Sequence, residues 1–250
     1  MPTKMVDIQT QSGLCDTYVA YPEGRMNLPV VLVYTDAIGL RKRSCDMADM
    51  LASQGYYVMV PNMFYRTKPA PLVDYDILLK PENRPELLKQ VMAIAANLKP
   101  DMAKRDVKDF LRFTQEQAQV NPNKVGIVGY CMGAGQALRA AGNYPAAFKA
   151  VATFHGGHLA VDNDASPHLL IKNIQAEVYI AHADQDQTMP PEQMEKVEKV
   201  LKDAKVKHKT EVYKECLHGW TMSDLPAYNP AGEEKHWHAI LDLFARTLKN

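Results

Sequence analysis

Five consecutive residues, Gly129-Tyr130-Cys131-Met132-Gly133, combine a nucleophile with the small residues that a sharp turn needs. They follow the apolar run Val125–Val128 and precede a helical pattern rich in small residues. In this setting the pattern matches a nucleophile elbow, a strained strand-to-helix turn that projects its central side chain above a sheet. The following helix N-terminus favours a thiolate at Cys131. The N–H of Met132 points to where an oxyanion would form.

Two other interpretations of this turn have to be weighed. A cysteine in a glycine-rich turn can be a buried structural residue, and similar turns bind phosphate groups at a helix N-terminus. A dinucleotide fingerprint would need a third spaced glycine and a P-loop a following lysine, and neither pattern fits here. The strand-turn-helix setting therefore favours the elbow.

An elbow predicts an acid and then a histidine further along the chain. Asp184 and Asp186 both follow the apolar run Tyr179–Ala181, and either of them can reach the carboxyl edge of a sheet. His218 lies on a loop after another strand and before the last helix. The order of these residues predicts Cys131 as nucleophile, an aspartate as acid and His218 as base.

The elements that must position these residues alternate between short apolar runs and helical patterns, which predicts an α/β fold with a mostly parallel sheet covered by helices on both faces. Two early segments, Lys4–Gln9 and Asp16–Ala20, are predicted as antiparallel edge strands, and the proline-rich stretch Lys68–Pro85 as a surface excursion. The predicted buried strands are Pro29–Tyr34, Tyr56–Val60, Lys124–Tyr130, Ala150–Phe154, Ala176–Ala181 and Val206–Tyr213. The predicted helices are Ser44–Gln54, Arg84–Leu98, Asp101–Gln119, Met132–Gly142, Pro191–Ala204 and Gly232–Leu248.

Composition restricts the classes of function. The 250 residues carry 29 Lys and Arg against 29 Asp and Glu, a balance that argues against nucleic acid or an anionic membrane surface as partner. We find no apolar stretch long enough for a transmembrane helix and no secretory signal. The four cysteines are far apart, without a CxxC pair. We therefore expect a single domain over residues 1–250, in a cytoplasmic protein with free thiols.

Five blocks of the sequence resemble the dienelactone hydrolase family, a branch of the α/β-hydrolases. They are the strand and loop Pro29–Gly39, the segment Pro61–Arg66, the cysteine elbow, and the later aspartate and histidine-glycine-aromatic blocks. In the family the acid stands about three residues before a Val-Pro pair. Met189-Pro190 takes that place here, so the resemblance selects Asp186 over Asp184.

The resemblance implies a hydrolase of small esters or lactones that uses a Cys-His-Asp triad and a thioester, without cofactor or metal, as a monomer or small homo-oligomer. It implies Ala37 as a second oxyanion donor beside Met132. Asp36 stands where the dienelactone enzymes have a glutamate that modulates the thiol, and Met222 stands where they have a second carboxylate-binding arginine. The residues expected to line the substrate pocket are Tyr65, Arg66, Phe154 and Trp220.

Two rival functions remain open at this point. A metal site could draw on residues that follow one strand, namely His155, His158, Asp162, Asp164 and His168, although their spacing is not that of a helical ligand pair. Alternatively, a degenerate hydrolase fold could act as a thiol redox sensor or a ligand-binding module.

Overall fold

The computed structural model describes residues 3–78 and 80–250, which form two compact units, one up to Asn123 and one from Lys124. In the described part of the first unit, strands lie in the order β1-β2-β4-β3. β1 pairs antiparallel with β2, and β3 pairs parallel with β4. The early antiparallel strands are therefore confirmed. The bounds are β1 (Thr3–Thr10), β2 (Gly13–Ala20), β3 (Leu28–Tyr34) and β4 (Tyr57–Pro61).

The three predicted helices of the first unit begin within two residues of their predicted starts, and they end one to four residues earlier than predicted. The last of the three ends at Gln115 rather than Gln119, because the chain turns there toward the next strand. The stretch Lys68–Pro85 carries a short helix, a 3-10 turn and the start of the next helix at Arg84, and Leu79 in it lies outside the described residues. The bounds are α1 (Lys42–Ser53), α2 (Tyr75–Leu78), α3 (Arg84–Ala95) and α4 (Pro100–Gln115).

The second unit contains a parallel sheet in the order β5-β6-β7-β8. Its first strand begins in sequence before the unit boundary and leads directly into the elbow. The strands are β5 (Val120–Tyr130), β6 (Phe148–Phe154), β7 (Glu177–Gln185) and β8 (His208–Leu217). The helices are α5 (Met132–Asn143), α6 (His168–Ile171), α7 (Pro191–Asp203) and α8 (Pro230–Leu248).

Burial explains why these runs form central strands. In β6 every residue except Lys149 is buried, as expected for a strand covered on both faces. The carboxyl ends of parallel strands lie at one edge of the sheet, which is where open α/β sheets bind ligands. The residues directly after β5, β6, β7 and β8 are Cys131, His155, Asp186 and His218.

Two strands extend beyond their predicted ends. β7 continues to Gln185 instead of Ala181, and β8 to Leu217 instead of Tyr213. An irregularity in their pairing between Ala183 and Gln185 accompanies this extension. The longer strands carry the chain to the residues that reach the edge of the sheet.

Among the helices in the described ranges, none combines the length and apolar character needed to cross a membrane.

Candidate active site

Cys131 occupies a strained turn between β5 and α5. Its backbone has φ of 54° and ψ of −117°, a left-handed conformation that non-glycine residues seldom adopt. Such strain tends to persist at functional sites, where the surrounding structure holds it in place. The N–H of Cys131 donates to the carbonyl of Phe154 at 3.1 Å, which ties the turn to β6. The thiol is free and half-buried.

Gly129 makes this turn possible. A Cβ atom built on residue 129 would lie 2.2 Å from the carbonyl oxygen of Gly133, far inside van der Waals contact. The strand and the first turn of α5 can approach this closely only when residue 129 has no side chain. Met132 is the first residue of α5, so its N–H has no partner within the helix and is available to an oxyanion.

His218 follows β8, and its ring connects the acid to the thiol. Its Nδ1 lies 2.6 Å from Oδ2 of Asp186. Because an ionised carboxylate can only accept, Nδ1 carries the hydrogen and donates it. Cys131 interacts with the same ring and raises the pKa of His218. Since Nδ1 is engaged by Asp186, Nε2 is the ring nitrogen left for the thiol.

Asp186 is fixed by a second set of hydrogen bonds. Its Oδ1 accepts from the N–H of Thr188 at 2.8 Å and from the hydroxyl of Thr188 at 2.6 Å. Its side chain is almost fully buried, with 1% exposed. Burial alone would raise the pKa of Asp186. The hydrogen bonds from His218 and Thr188 outweigh it and lower the pKa below its usual value, so the group is ionised at neutral pH.

The same contacts act in the opposite direction on His218. Burial would lower its pKa, but the hydrogen bonds to Asp186 and Cys131, together with their charges, raise the pKa to about 10. At neutral pH the ring is thus held as an imidazolium beside the thiol, the arrangement by which a neighbouring histidine activates a cysteine.

The other predicted acid, Asp184, lies elsewhere. It is exposed within β7, and its Oδ2 accepts from the backbone N–H of Glu215 at 2.9 Å. The structure thus brings Asp186, and not Asp184, to His218.

His155 was not predicted as part of a catalytic site, yet its ring packs against His218 with centroids 5.4 Å apart. It is fully buried, and its Nε2 hydrogen-bonds the hydroxyl of Thr221 at 2.8 Å. Burial, then the charges of His218 and His236, lower its pKa well below the usual value. His155 is therefore neutral. Its position directly after β6, at the same edge as the other strand ends, was the signal available in the sequence.

The rival metal ligands do not assemble. His168 hydrogen-bonds Ser166 at 2.7 Å, and Asp162 pairs with Lys196 at 2.6 Å. Within the described residues, no group of three or more His, Cys, Asp and Glu side chains is arranged to hold a metal ion.

Two of the predicted pocket residues are core residues of the second unit. Phe154 and Trp220 are fully buried, and Trp220 packs edge-on against His155 with ring centroids 5.0 Å apart. Met222, which stands where the dienelactone enzymes have a second arginine, is buried as well. In these positions the two aromatic side chains form part of the packing around the histidine rings.

Asp36 belongs to the first unit and is committed to a local ion pair. Both of its oxygens accept from the guanidinium of Arg41, at 2.8 and 2.9 Å, and Oδ1 also accepts from the N–H of Ile38 at 3.0 Å. The pair is buried, with 3% of the Arg41 side chain and 6% of the Asp36 side chain exposed. Ala37, the neighbouring residue, is buried too.

Arg66, also in the first unit, is engaged in the same way. Its two terminal nitrogens donate to the carboxylate of Asp106 at 2.8 and 2.6 Å. The hydroxyl of Tyr65 donates to the same carboxylate at 3.0 Å and contacts the hydroxyl of Thr10 at 2.7 Å. This carboxylate lies 40 residues away in sequence.

Comparisons with known proteins agree on one family. The family model described as "Dienelactone hydrolase family" matches residues 15–248. A Synechocystis protein (strain ATCC 27184 / PCC 6803 / Kazusa) named "Putative carboxymethylenebutenolidase" is 25% identical over 250 residues, which cover 99% of this chain and 98% of that protein. The hydrolase pyvD of Aspergillus violaceofuscus (strain CBS 115571) is 26% identical, with 85% and 78% of the two chains covered.

Solved structures give the same fold. A crystal structure from Klebsiella pneumoniae subsp. pneumoniae MGH 78578, named "Putative Dienelactone Hydrolase", superposes with a TM-score of 0.85 at 19% identity and covers 98% of both chains. A dienelactone hydrolase-like promiscuous phosphotriesterase from metagenomic libraries reaches 0.79 at 22% identity, also over 98% of both chains. The predicted α/β-hydrolase fold is therefore confirmed.

Proposed function

Because this chain belongs to the dienelactone hydrolase family, we propose that it hydrolyses small carboxylic esters or lactones with Cys131 as nucleophile, His218 as base and Asp186 as orienting acid. Membership of the family identifies the chain as a carboxylic ester or lactone hydrolase. One observation carries the finer proposal. His218 hydrogen-bonds Asp186 at 2.6 Å, and its ring interacts with Cys131, the residue of a strained turn.

The reaction takes two steps. In the first, the sulfur of Cys131 attacks the carbonyl carbon, and the C=O π electrons move to the oxygen. When the intermediate collapses, the C–O bond breaks, and His218 gives its proton to the leaving alkoxide. A thioester remains. In the second step, His218 takes a proton from water as the water attacks the thioester, and the thiolate leaves.

The N–H of Met132 is our proposed donor to the developing oxyanion. Removal of one such donor typically costs about 2.7–4 kcal/mol of barrier. The roles of Ala37 as second donor and of Asp36 as a modulator of the thiol stay predictions from the family resemblance, as do those of Tyr65 and Arg66 in substrate binding. The bidentate pairing of Arg66 with Asp106 means that a substrate carboxylate would have to compete with a protein carboxylate for the same guanidinium.

Esters and lactones fit a cysteine better than amides do. A thiolate leaves a tetrahedral intermediate more readily than an unactivated amine does, so attack on an amide mostly reverses. The substrate panel therefore consists of an activated aryl ester, a simple lactone, a dienelactone and an aryl amide. An aryl phosphotriester is added because a structural relative is named as a phosphotriesterase.

The deciding comparison is between wild type, Cys131→Ala and Cys45→Ala. Cys45 is a matched control, since it is also free and half-buried, and burial raises its pKa to about 12. We expect wild type and Cys45→Ala to turn over at least one ester or lactone equally well and Cys131→Ala to turn over none. Equal turnover by Cys131→Ala would rule out the nucleophile. If wild type is inactive on the whole panel, the proposal is wrong and the thiol-sensor alternative is favoured.

Alkylation gives an independent test of the thiol. Burial raises the pKa of Cys15 to about 12, as it does for Cys45, and also raises the pKa of Cys216. Iodoacetamide at neutral pH should therefore modify Cys131 first, as read by peptide mass spectrometry. First modification at any of the other three cysteines would contradict the activation of Cys131.

A further inference from the structure

His155 directly follows β6, and its backbone adopts an uncommon conformation. Its φ of 41° lies in the left-handed region, which few residues other than glycine occupy. The N–H of His155 donates to the carbonyl of Ala181 at 2.9 Å, so the neighbouring strand β7 holds this backbone in place. Strained backbone persists where the surrounding structure fixes it, often at functional sites. The proposed triad gives His155 no part, and no metal cluster within the described ranges includes it.

The side chain of His155 contacts the loop that carries the base. Its ring meets the ring of His218 with centroids 5.4 Å apart and planes at 66°, and the ring of Trp220 with centroids 5.0 Å apart and planes at 75°. Tilted rings at such separations make favourable edge-to-face contacts. The Nε2 of His155 also hydrogen-bonds the hydroxyl of Thr221 at 2.8 Å. His155, Trp220 and Thr221 are fully buried, so water does not compete for these contacts.

His218 needs this support because its own segment constrains it weakly. β8 ends at Leu217, and Gly219, with φ of 97°, follows the base. A glycine restricts the conformation of the chain less than any other residue does. The hydrogen bond from Nδ1 to Asp186 fixes the position of one ring atom but not the plane of the ring. The contact with His155 fixes that plane, and the two contacts together determine where Nε2 points.

The turn after β6 also contacts the residue that holds the acid. The N–H of His158 donates to the carbonyl of Thr188 at 2.7 Å. A Cβ atom on residue 157 would lie 2.3 Å from the hydroxyl oxygen of Thr188 and 3.6 Å from Cε1 of His218. Gly157 therefore lies against both the support of Asp186 and the ring of the base. One short turn thus contacts both partners of the proposed pair.

His155 suits this position because it is neutral. Burial, then the charges of His218 and His236, lowers its pKa well below the usual value. His218 is an imidazolium at neutral pH, and a second imidazolium packed against it would repel it. A neutral imidazole avoids this repulsion. It has one donor and one acceptor nitrogen, and a hydroxyl can serve as either partner, so the hydrogen bond to Thr221 forms in both tautomers.

We propose that His155 is a positioning residue for the base. Held by its hydrogen bond to Thr221, its neutral ring sets the orientation of His218, so that Nε2 points at the thiol of Cys131. In this role His155 exchanges no proton and acts only through His218. The inference rests on the proposed function, because it assumes that His218 acts on Cys131.

Three variants test the two contacts of His155. His155→Gln keeps a polar group for Thr221 and removes the ring, and should lower both kcat/KM for an activated aryl ester and the alkylation rate of Cys131 by about 10- to 100-fold. Thr221→Val removes the hydroxyl and should lower both rates by about three- to tenfold, while Thr221→Ser should restore them to nearly the wild-type rates. The alkylation profile against pH should also move to higher pH in His155→Gln, because a misplaced imidazolium stabilises the thiolate less.

His182→Gln is the matched control for the loss of a buried imidazole. His182 lies on β7 with 3% of the residue exposed, and burial lowers its pKa to about 4, so it is neutral as well. Unfolding in urea reports the stability of each variant. His182→Gln should leave kcat/KM and the pH profile of alkylation unchanged, whatever its effect on stability.

The outcomes separate this inference from the proposed function. Wild-type rates in His155→Gln, or an equal loss in His182→Gln, would overturn the positioning role. If wild type hydrolyses nothing on the substrate panel, the proposed function is wrong, and the alkylation of Cys131 still decides whether His155 positions His218. A slower reaction in His155→Gln then supports the role, and an equal rate refutes it. If His155→Gln does not fold, the comparison of Thr221→Val with Thr221→Ser decides by the same two rates.

Discussion

Replacement of Asp186 by asparagine is the most informative perturbation of the proposed site, because it keeps the shape and removes the charge. The carboxylate makes three contacts, two from Thr188 on Oδ1 and one from His218 on Oδ2. An asparagine has one acceptor oxygen and one NH₂ donor. The two donors of Thr188 require the oxygen on their side, which turns the NH₂ group toward Nδ1 of His218.

The orientation of the asparagine amide decides how much activity Asp186→Asn loses. If only a hydrogen bond to a charged group were lost, the cost of about 1.5–3 kcal/mol would slow the reaction by about 10- to 150-fold. An NH₂ group facing Nδ1 does more, because it stabilises the tautomer with the hydrogen on Nε2. That nitrogen can then no longer accept a proton from Cys131. Loss of the correct tautomer costs about 10⁴-fold in a serine triad, so we expect a decrease in kcat/KM of about 10³- to 10⁴-fold.

The assay is hydrolysis of an activated aryl ester near neutral pH, with iodoacetamide alkylation of Cys131 as a second readout. Asp184→Asn is the matched control, since Asp184 is an exposed aspartate two residues away whose carboxylate accepts a hydrogen bond from the N–H of Glu215 and not from His218. It should leave both rates unchanged. The reasoning is refuted if Asp186→Asn loses less than about tenfold in kcat/KM, or if Asp184→Asn loses as much.

Three further outcomes follow from the same contacts. Thr188→Val removes the hydroxyl donor to Asp186 and should lower kcat/KM about tenfold, with activity restored in Thr188→Ser; no change would show that the backbone N–H suffices. Gly129→Ala places a Cβ 2.2 Å from the carbonyl oxygen of Gly133 and should lower the free energy of unfolding in urea by at least about 3 kcal/mol; a near-neutral effect would contradict the described turn. The pKa of His218 is raised from 6.5 to about 10, so its contribution to stability is complete below about pH 6.5 and lost toward about pH 10. The difference in unfolding free energy between wild type and His218→Gln should shrink as the pH rises over that range. A difference that widens would contradict a raised pKa at His218.

The elbow could be predicted because every feature that defines it lies within a few residues. Apolar strand, small turn residues and helix start are adjacent in the sequence, and the strain at Cys131 follows from their geometry. The choice between Asp184 and Asp186 could not be made from spacing alone. It depends on where β7 ends, and the strand runs four residues past its apolar core because β8 continues to pair with it.

Contacts between segments that are far apart in the chain could not be predicted from the sequence. Nothing near Arg66 indicates that a carboxylate 40 residues later takes both of its terminal nitrogens, since such a pair is defined only when the chain has folded. The ion pair of Asp36 with Arg41 is not predictable either. The two residues are only five positions apart, but their pairing depends on the conformation of the loop before α1. These pairings explain why polar residues at these positions are buried.

Two histidines follow strands of the second unit, His155 after β6 and His218 after β8, and their partners give them different chemistry. His155 is fully buried, hydrogen-bonds a hydroxyl, and has its pKa lowered well below the usual value. His218 is half-buried, but it contacts the ionised carboxylate of Asp186, and its pKa is raised to about 10. Environments that push two titratable groups in opposite directions identify which one can hold a proton for catalysis. At neutral pH His155 has no proton to give beyond its neutral N–H, whereas His218 carries one next to the thiol. The carboxylate of Asp186, rather than burial, therefore determines which histidine is the base. We infer for this reason that substitution of Asp186 affects the chemistry more than substitution of the aromatic residues around the histidines.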